Sequence, residues 1–459
     1  MQLPHTSTIC ALSTPAGVSA LAIIRLCGTE ALSIAQKIFT GDMEPQKAVF
    51  GSIEDGGETI DEVVATYFKS PNSYNGEDIV ELSCHGSVYV QQRVLQLLIE
   101  KGATLAQPGE FTLRAFLNGK MDLSRAEAVA DLIHSSSAAS HKIAMQQMRG
   151  GFSKELKALR EKFVSFASLI ELELDFSEED VEFADRKQLE TLLEEISTVL
   201  NGLIGSFAVG NAIKHGVPVV IAGAPNVGKS TLLNALLKEE RAIVSDIPGT
   251  TRDFIEDTID VNGVLFRFID TAGIRKATDK IETIGIEKTF EKMGNAAVVL
   301  CLFDASDTTP ESISQTLSSL PANEGAGLLA GGVIPVINKV DLVDNKTNQQ
   351  RLSKVKDAVF ISAKEGQGLE SLTSRLSELV SLQQSNAEEV IVSNSRHYEA
   401  LTKALEGVNS TAKGLEEGLP GDLLAIDIRK ALHHLGEITG EITTDELLGS
   451  IFSRFCIGK

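Results

Sequence analysis

The run Val217-Pro218-Val219-Val220-Ile221-Ala222-Gly223-Ala224-Pro225-Asn226-Val227-Gly228-Lys229-Ser230-Thr231 decides the fold of the central part of this chain. Its first six residues are short, apolar and rich in β-branched side chains, as a strand covered on both faces requires. Gly223–Ser230 then fits the pattern GxxxxGK[ST], and the helical run Thr231–Lys238 follows, so the loop stands between a strand and a helix. Glycines in such a loop let backbone N–H groups converge on phosphate oxygens, and the helix N-terminus adds positive potential. Asn226, Val227, Gly228 and Thr231 complete the phosphate cradle. Lys229 is placed to reach the outer phosphates and the Ser230 hydroxyl to ligate Mg²⁺.

Three more segments of this kind follow at strand ends. Asp270-Thr271-Ala272-Gly273 comes after the run Val264–Ile269, where a metal-linked carboxylate and a phosphate-sensing glycine belong. Asn338-Lys339-Val340-Asp341 comes after Val333–Ile337, and Ser362-Ala363-Lys364 closes the base pocket. An Asp341 carboxylate can accept two hydrogen bonds from guanine, N1–H and the 2-amino group. Adenine lacks that donor pair and leaves the carboxylate unpaired. The order and spacing resemble the Ras-like GTPases of the translation-factor class. The segment Ser245-Asp246-Ile247-Pro248-Gly249-Thr250-Thr251 is then the first switch, with Thr251 chosen over Thr250 as the Mg²⁺ ligand. Ile274 stands where many small GTPases carry the glutamine that orients water. An isoleucine cannot do so, and Glu282 is the candidate replacement, with Arg252 and Arg275 as rival groups for charge stabilisation.

Outward from this centre the texture changes. From Met1 to about residue 119 there are β-like runs (Ala20–Leu26, Val63–Phe68, Ile79–Ser83), the turn Asp55-Gly56-Gly57 and one helical pattern, Val88–Glu100. This reads as an α+β domain, 1–119. Helical periodicity dominates 120–215, where Leu156, Leu159, Phe163, Phe166 and Ile170 step by three and four. It returns in 381–459, with Leu424, Ile428, Ala431 and Leu435 on one face and a last helix around Asp445–Phe455. The reading is a multidomain chain: an N-terminal α+β domain, a discontinuous all-α domain, and a Ras-like α/β domain, 216–380, inserted into it.

The chain has 63 Asp plus Glu against 42 Lys plus Arg, a formal net charge of −21. That excludes coating of nucleic acid by bulk charge, and no Lys/Arg cluster occurs in the first 120 residues. No stretch holds the roughly 18 uninterrupted apolar residues of a spanning helix, and the N-terminus lacks a leader pattern, so the expectation is a cytoplasmic protein without a membrane partner. Five scattered cysteines with no CxxC indicate neither a disulfide framework nor a zinc site. Cys456 is fourth from the end, but Ile457-Gly458-Lys459 does not suit prenylation.

The segments Asn118-Gly119-Lys120-Met121-Asp122-Leu123 with Ala126-Glu127-Ala128, Gly436-Glu437-Ile438-Thr439-Gly440-Glu441, and the ending Phe455-Cys456-Ile457-Gly458-Lys459 make the chain resemble the MnmE (TrmE) family of tRNA-modification GTPases from end to end. The resemblance implies a homodimer whose N-terminal domain takes a tetrahydrofolate derivative, 5-formyl or 5,10-methylene, at Arg25, Glu81, Lys120 and Lys459. It implies potassium at Asn226, Ser245, the Ile247 backbone and Thr250, where the cation does the work of an arginine finger. It implies that Glu282 orients the attacking water and that Cys456 lies near the folate, its role open. It further implies a MnmG (GidA)-type flavoprotein partner carrying FAD, in a heterotetramer or larger, with tRNA held mainly through that partner. The product would be a carboxymethylaminomethyl or aminomethyl group on C5 of the wobble uridine of certain tRNAs. The rival reading is a regulatory switch GTPase of ribosome assembly, which has no use for the Arg25, Glu81, Lys120 and Lys459 set.

Overall fold

The computed structural model describes residues 7–175, 186–239, 257–269, 296–319, 332–343, 355–381 and 390–459. The described residues fall into two compact units. One comprises Met1–Ala130, Met148–Arg160 and Leu435–Lys459; the other Asp131–Gln147 and Glu161–His434. Helices of the periodic segments are therefore distributed over both.

In the first unit six strands form one sheet: β1 (Ile9–Leu12), β2 (Ser19–Cys27), β3 (Ala48–Asp55), β4 (Glu58–Phe68), β5 (Ile79–Gly86) and β6 (Thr104–Leu105). Their order is β3-β4-β5-β2-β1-β6, antiparallel except for the β1–β6 pair. Period-two alternation sends Ala22, Ile24 and Leu26 of β2 into the core with Leu82 and Val80 of β5. Helix α2 (Val88–Glu100) covers that face with Val90, Val94, Leu97 and Leu98. The Gly56–Gly57 turn joining β3 to β4 has φ of +59° and +93°, the two positive values a two-residue hairpin loop needs. Where the sequence shows one helical pattern, the structure has three helices. The short α1 (Ala31–Gln36) and α3 (Glu110–Leu117) each make about two turns, too few for periodicity to register. The same unit takes the start of α4 (Leu123–His134) and of α6 (Gly151–Asp175), with α13 (Asp445–Phe452) near the C-terminus. Asp122 Oδ1 accepts from the Ser124 and Ser153 hydroxyls and the Arg125 N–H, fixing the α4 entry.

The second unit holds the other six strands in the order β12-β11-β10-β7-β9-β8. They are β7 (Val217–Gly223), β8 (Asp257–Val261), β9 (Val264–Phe268), β10 (Val298–Asp304), β11 (Val333–Asn338) and β12 (Val359–Phe360). All neighbours are parallel except β8 and β9, an antiparallel hairpin turned by Asn262 (φ +54°) and Gly263 (φ +81°). The four apolar runs read as parallel strands are β7, β9, β10 and β11. Helices α8 (Lys229–Glu239), α9 (Pro310–Ser319) and α10 (Leu369–Ser381) belong to this layer. Flanking it are α5 (Ala138–Met148), α7 (Arg186–His215), α11 (Ser395–Glu416) and α12 (Gly421–Thr439).

By length and composition α7 could cross a membrane. Its apolar positions nevertheless recur as a packing face: Leu189, Leu193, Ile196, Leu200 and Leu203 are all buried. Phe207 stacks on Tyr398 of α11 at 4.4 Å, and the Ser206 hydroxyl accepts from the Val392 N–H. The chain segments before and after the sheet thus meet side by side.

Candidate functional site

In a doubly wound sheet ligands bind where neighbouring strands run off to opposite sides, at the carboxyl ends of the strands. Here that point is the end of β7, which has β10 on one side and β9 on the other. The loop Gly223–Ser230 stands there. Its backbone takes φ of +154° at Gly223, +62° at Asn226 and +100° at Gly228. A Cβ on Gly223 would meet the Leu302 carbonyl oxygen at 2.6 Å, and one on Gly228 would meet Asn338 Nδ2 at 2.3 Å, so glycine is required at both for space as well as conformation. Lys229 opens α8, and its ammonium donates to the Gly223 and Ala224 carbonyls at 2.7 and 3.0 Å, folding across the loop. A phosphate would offer that ammonium charged oxygens in place of carbonyls. Ser230 lies in the first turn of the same helix.

The base side is tied to the phosphate side by one side chain. Asn338, buried at the end of β11, donates from Nδ2 to the Val227 carbonyl (2.8 Å) and accepts at Oδ1 from the Ala363 N–H (3.0 Å). The Ser362 hydroxyl donates to Asp341 Oδ1 at 2.6 Å, orienting the carboxylate. Lys339, at φ +64°, pairs with Asp304 at 2.7 Å. Burial works to raise the Asp304 carboxyl, but hydrogen bonds from Lys339 and Ser306 outweigh it and hold the group below its ordinary value. Lys364 is exposed, 3.5 Å from Glu365. Ser245, Asp246, Ile247, Pro248, Gly249, Thr250, Thr251, Asp270, Thr271, Ala272, Gly273 and Glu282 lie outside the described residues. An open surface depression lies elsewhere, beside Asp357, Glu370 and Arg375.

The other unit carries a second constellation on the sheet face opposite its core. Arg25 and Glu81 are cross-strand partners in register. Arg25 Nε and Nη2 both donate to Glu81 Oε1, at 2.9 and 2.7 Å, and Nη1 donates to the Gly458 carbonyl at 3.3 Å. The guanidinium lies 5.9 Å from the Tyr74 ring and 5.5 Å from the Phe111 ring, within cation–π range of both. Lys459 follows Gly458 in the chain. Burial first, and then the Arg25 charge, push its ammonium below the ordinary lysine value, against the opposing pull of Glu81 and Cys456.

Two family models match the chain. The model described as "GTP-binding protein TrmE N-terminus" covers residues 8–120 and "MnmE helical domain" covers 123–456. A protein of Cytophaga hutchinsonii named "tRNA modification GTPase MnmE" is 51% identical over 99% of this chain and 98% of its own length. One of the same name from Christiangramia forsetii is 54% identical over 98% of this chain and 99% of its own. The chain belongs to the MnmE family. Among solved structures, the G domain of the T. maritima FeoB iron transporter is 28% identical, with a TM-score of 0.24 over 36% of this chain and 98% of that one. Era bound to a segment of 16S ribosomal RNA is also 28% identical, with a TM-score of 0.24 over 36% of this chain and 56% of that one.

Of the four positions that the MnmE resemblance assigns to folate, the structure joins Arg25 and Glu81 by an ion pair, and Lys459 follows Gly458, whose carbonyl Arg25 holds. The fourth, Lys120, donates to the Pro71 carbonyl and lies against Gly76, on the loop that carries Tyr74. Among the described residues no hydrogen bond or ion pair joins it to Arg25, Glu81 or Lys459. Sequence reading missed Asp304, which ends an apolar run just as Asn338 does and pairs with it in register; that parallel was the available signal. It also missed Tyr74 and Phe111, which nothing in the sequence ties to Arg25. All five cysteines are free. Burial pushes Cys10 and Cys84 up to about 11 and Cys301 up to about 12, so these three stay thiols near neutral pH and offer no thiolate for catalysis or metal binding.

Proposed function

We propose that this chain is a GTP-hydrolysing tRNA-modification enzyme of the cytoplasm. With a MnmG-type flavoprotein that carries FAD, it adds a carboxymethylaminomethyl or aminomethyl group to C5 of wobble uridines, using a folate one-carbon unit. The observation that carries this reading is end-to-end likeness, at 51 and 54% identity, to proteins whose name states the activity. Those names do not favour a ribosome-assembly switch.

In this reading GTP lies along the loop 223–231 and the 338–341 and 362–364 segments, with Asp341 choosing guanine. Ser230 and Thr251 hold Mg²⁺, and Asn226, Ser245, Ile247 and Thr250 hold potassium. The left-handed, exposed Asn226 at the loop crest fits a cation ligand. Glu282 orients water. Folate is taken at Arg25, Glu81, Lys120 and Lys459; a carboxylate suits the pterin donors, cations suit the glutamyl tail, and two rings stand beside them. The homodimer forms through the N-terminal sheet. Support comes from Leu21 and Phe50, exposed apolar residues on the same face as Arg25, with Phe50 paired in register to Val64. The domain limits proposed are 1–119, 120–215, 216–380 and 381–459.

Modified-nucleoside analysis of tRNA from cells lacking the gene tests the function. The wobble-uridine modification should vanish, return with the wild-type gene and not with Lys229→Ala; an unchanged nucleoside profile in the deletion would overturn it. Exchange of potassium for sodium should slow turnover while leaving GTP affinity nearly unchanged. Equal rates would remove the cation assignment.

A further inference from the structure

The last four residues return to the N-terminal sheet, and the chain shows how they are seated. Upstream, Phe455 is buried against Phe452, Leu113 and Leu123, with the two phenyl rings 5.1 Å apart. The Cys456 carbonyl accepts from the Gly109 N–H at 3.4 Å. Downstream, the Gly458 carbonyl accepts from two side chains, the Ser13 hydroxyl at 3.2 Å and Arg25 Nη1 at 3.3 Å. Between these anchors Cys456 and Ile457 are exposed. Gly458 itself has φ +93°, and a Cβ there would lie 2.4 Å from the Leu12 carbonyl oxygen and 2.9 Å from Ser13 Cα. Both are backbone atoms of β1 and the residue after it, which cannot turn aside as a flexible side chain would.

We infer that Gly458 is a positioning residue: its carbonyl, gripped by Ser13 and Arg25, and its Cβ-intolerant backbone hold the 456–459 tail against the Arg25–Glu81 pair, so that the tail forms one wall of that site. This deepens the folate reading above and rests on it. Three features converge on the assignment. The grip uses the same guanidinium that holds Glu81, so ligand charge and tail position are read by one group. The positive φ and the absence of room select glycine on separate grounds. Finally, a hydrogen bond to a main-chain carbonyl is indifferent to side-chain identity at 458, which leaves space and backbone conformation as the constraints there.

The test uses the full-length protein and two readouts. Calorimetric titration with 5-formyltetrahydrofolate should show Gly458→Ala losing at least tenfold in affinity, as much as Lys459→Ala, with Ser13→Ala losing a few-fold. GTP affinity, read in the other unit, should stay within twofold and verify folding. Cys456 is the exposed cysteine of the five, so its rate of reaction with a thiol reagent reports tail release and should rise several-fold in Gly458→Ala. Folate affinity in Gly458→Ala equal to wild type would overturn the inference. Wild-type protein that takes up no folate would overturn the folate reading. The thiol arm then still decides the anchoring, with equal Cys456 rates in wild type and Gly458→Ala counting against it.

Discussion

Asn338 shows how one residue can serve as a joint. A polar side chain buried as deeply as this one is costly unless its hydrogen-bonding capacity is used. Its amide spends one donor on the Val227 carbonyl and one acceptor on the Ala363 N–H, so the phosphate loop and the base loop share a bracket. Asn338→Ala would leave both backbone groups unpaired, at about 1–3 kcal/mol each if they stay dry. GTP affinity measured by calorimetry should therefore fall at least about tenfold, one decade per 1.4 kcal/mol, while folate binding by the other unit is untouched. Unchanged GTP affinity would mean the bracket is dispensable. Gly228 belongs to the same joint, because any side chain there would strike Asn338 Nδ2.

Among the elements, the contact of α7 with the residues leading into α11 is the one whose chemistry makes a signed prediction. Gly210 lies within α7, five residues before its end, and inside a helix alanine is intrinsically better by about 1 kcal/mol. A Cβ at 210, however, would meet the Val392 carbonyl oxygen at 2.2 Å and its carbon at 2.9 Å. Steric exclusion should win, so Gly210→Ala should destabilise this unit by about 1–3 kcal/mol, the usual scale of overpacking. Denaturant unfolding followed on the purified chain measures it. A gain in stability, the sign propensity alone gives, would show that the 391–392 backbone does not cross there. Elements were legible in the sequence to the degree that periodicity outran their length. β7, β10 and β11 are continuous apolar runs, and α2 falls at Val88–Glu100 as its pattern indicates. The two-residue β6 and the six-residue α1 are held by neighbours rather than by their own pattern, and sequence gave no sign of them. The β8–β9 hairpin was announced by Asn262-Gly263 between apolar residues, a signal available but unread. The nucleotide loop was legible because phosphate binding fixes residue types at fixed spacing. The Arg25–Glu81–Gly458 cluster was legible only through the family resemblance, because it joins positions 433 residues apart whose proximity only strand register and tail docking create.

At the scale of the whole molecule the dominant fact is charge. A net −21 on 459 residues repels a polyanion at long range, and counterion release, the main source of affinity for nucleic acid, requires cations that this chain does not concentrate in its first 120 residues. Several arginines that might have served are already engaged. Arg25, Arg93 and Arg114 are each paired with carboxylates, and Arg114 is buried between Glu77 and Glu110 at 3.0 and 2.7 Å. Such a surface agrees with the proposed reading, in which a flavoprotein partner holds the tRNA. The purified chain should therefore bind tRNA at least about tenfold more weakly than its complex with the flavoprotein at 150 mM salt, and its own binding should depend little on salt because few phosphates are neutralised. Filter binding or fluorescence anisotropy across a salt series decides the matter. Tight binding by the chain alone, with affinity falling steeply as salt rises, would place a basic tRNA surface on this protein and break the division of labour between the two.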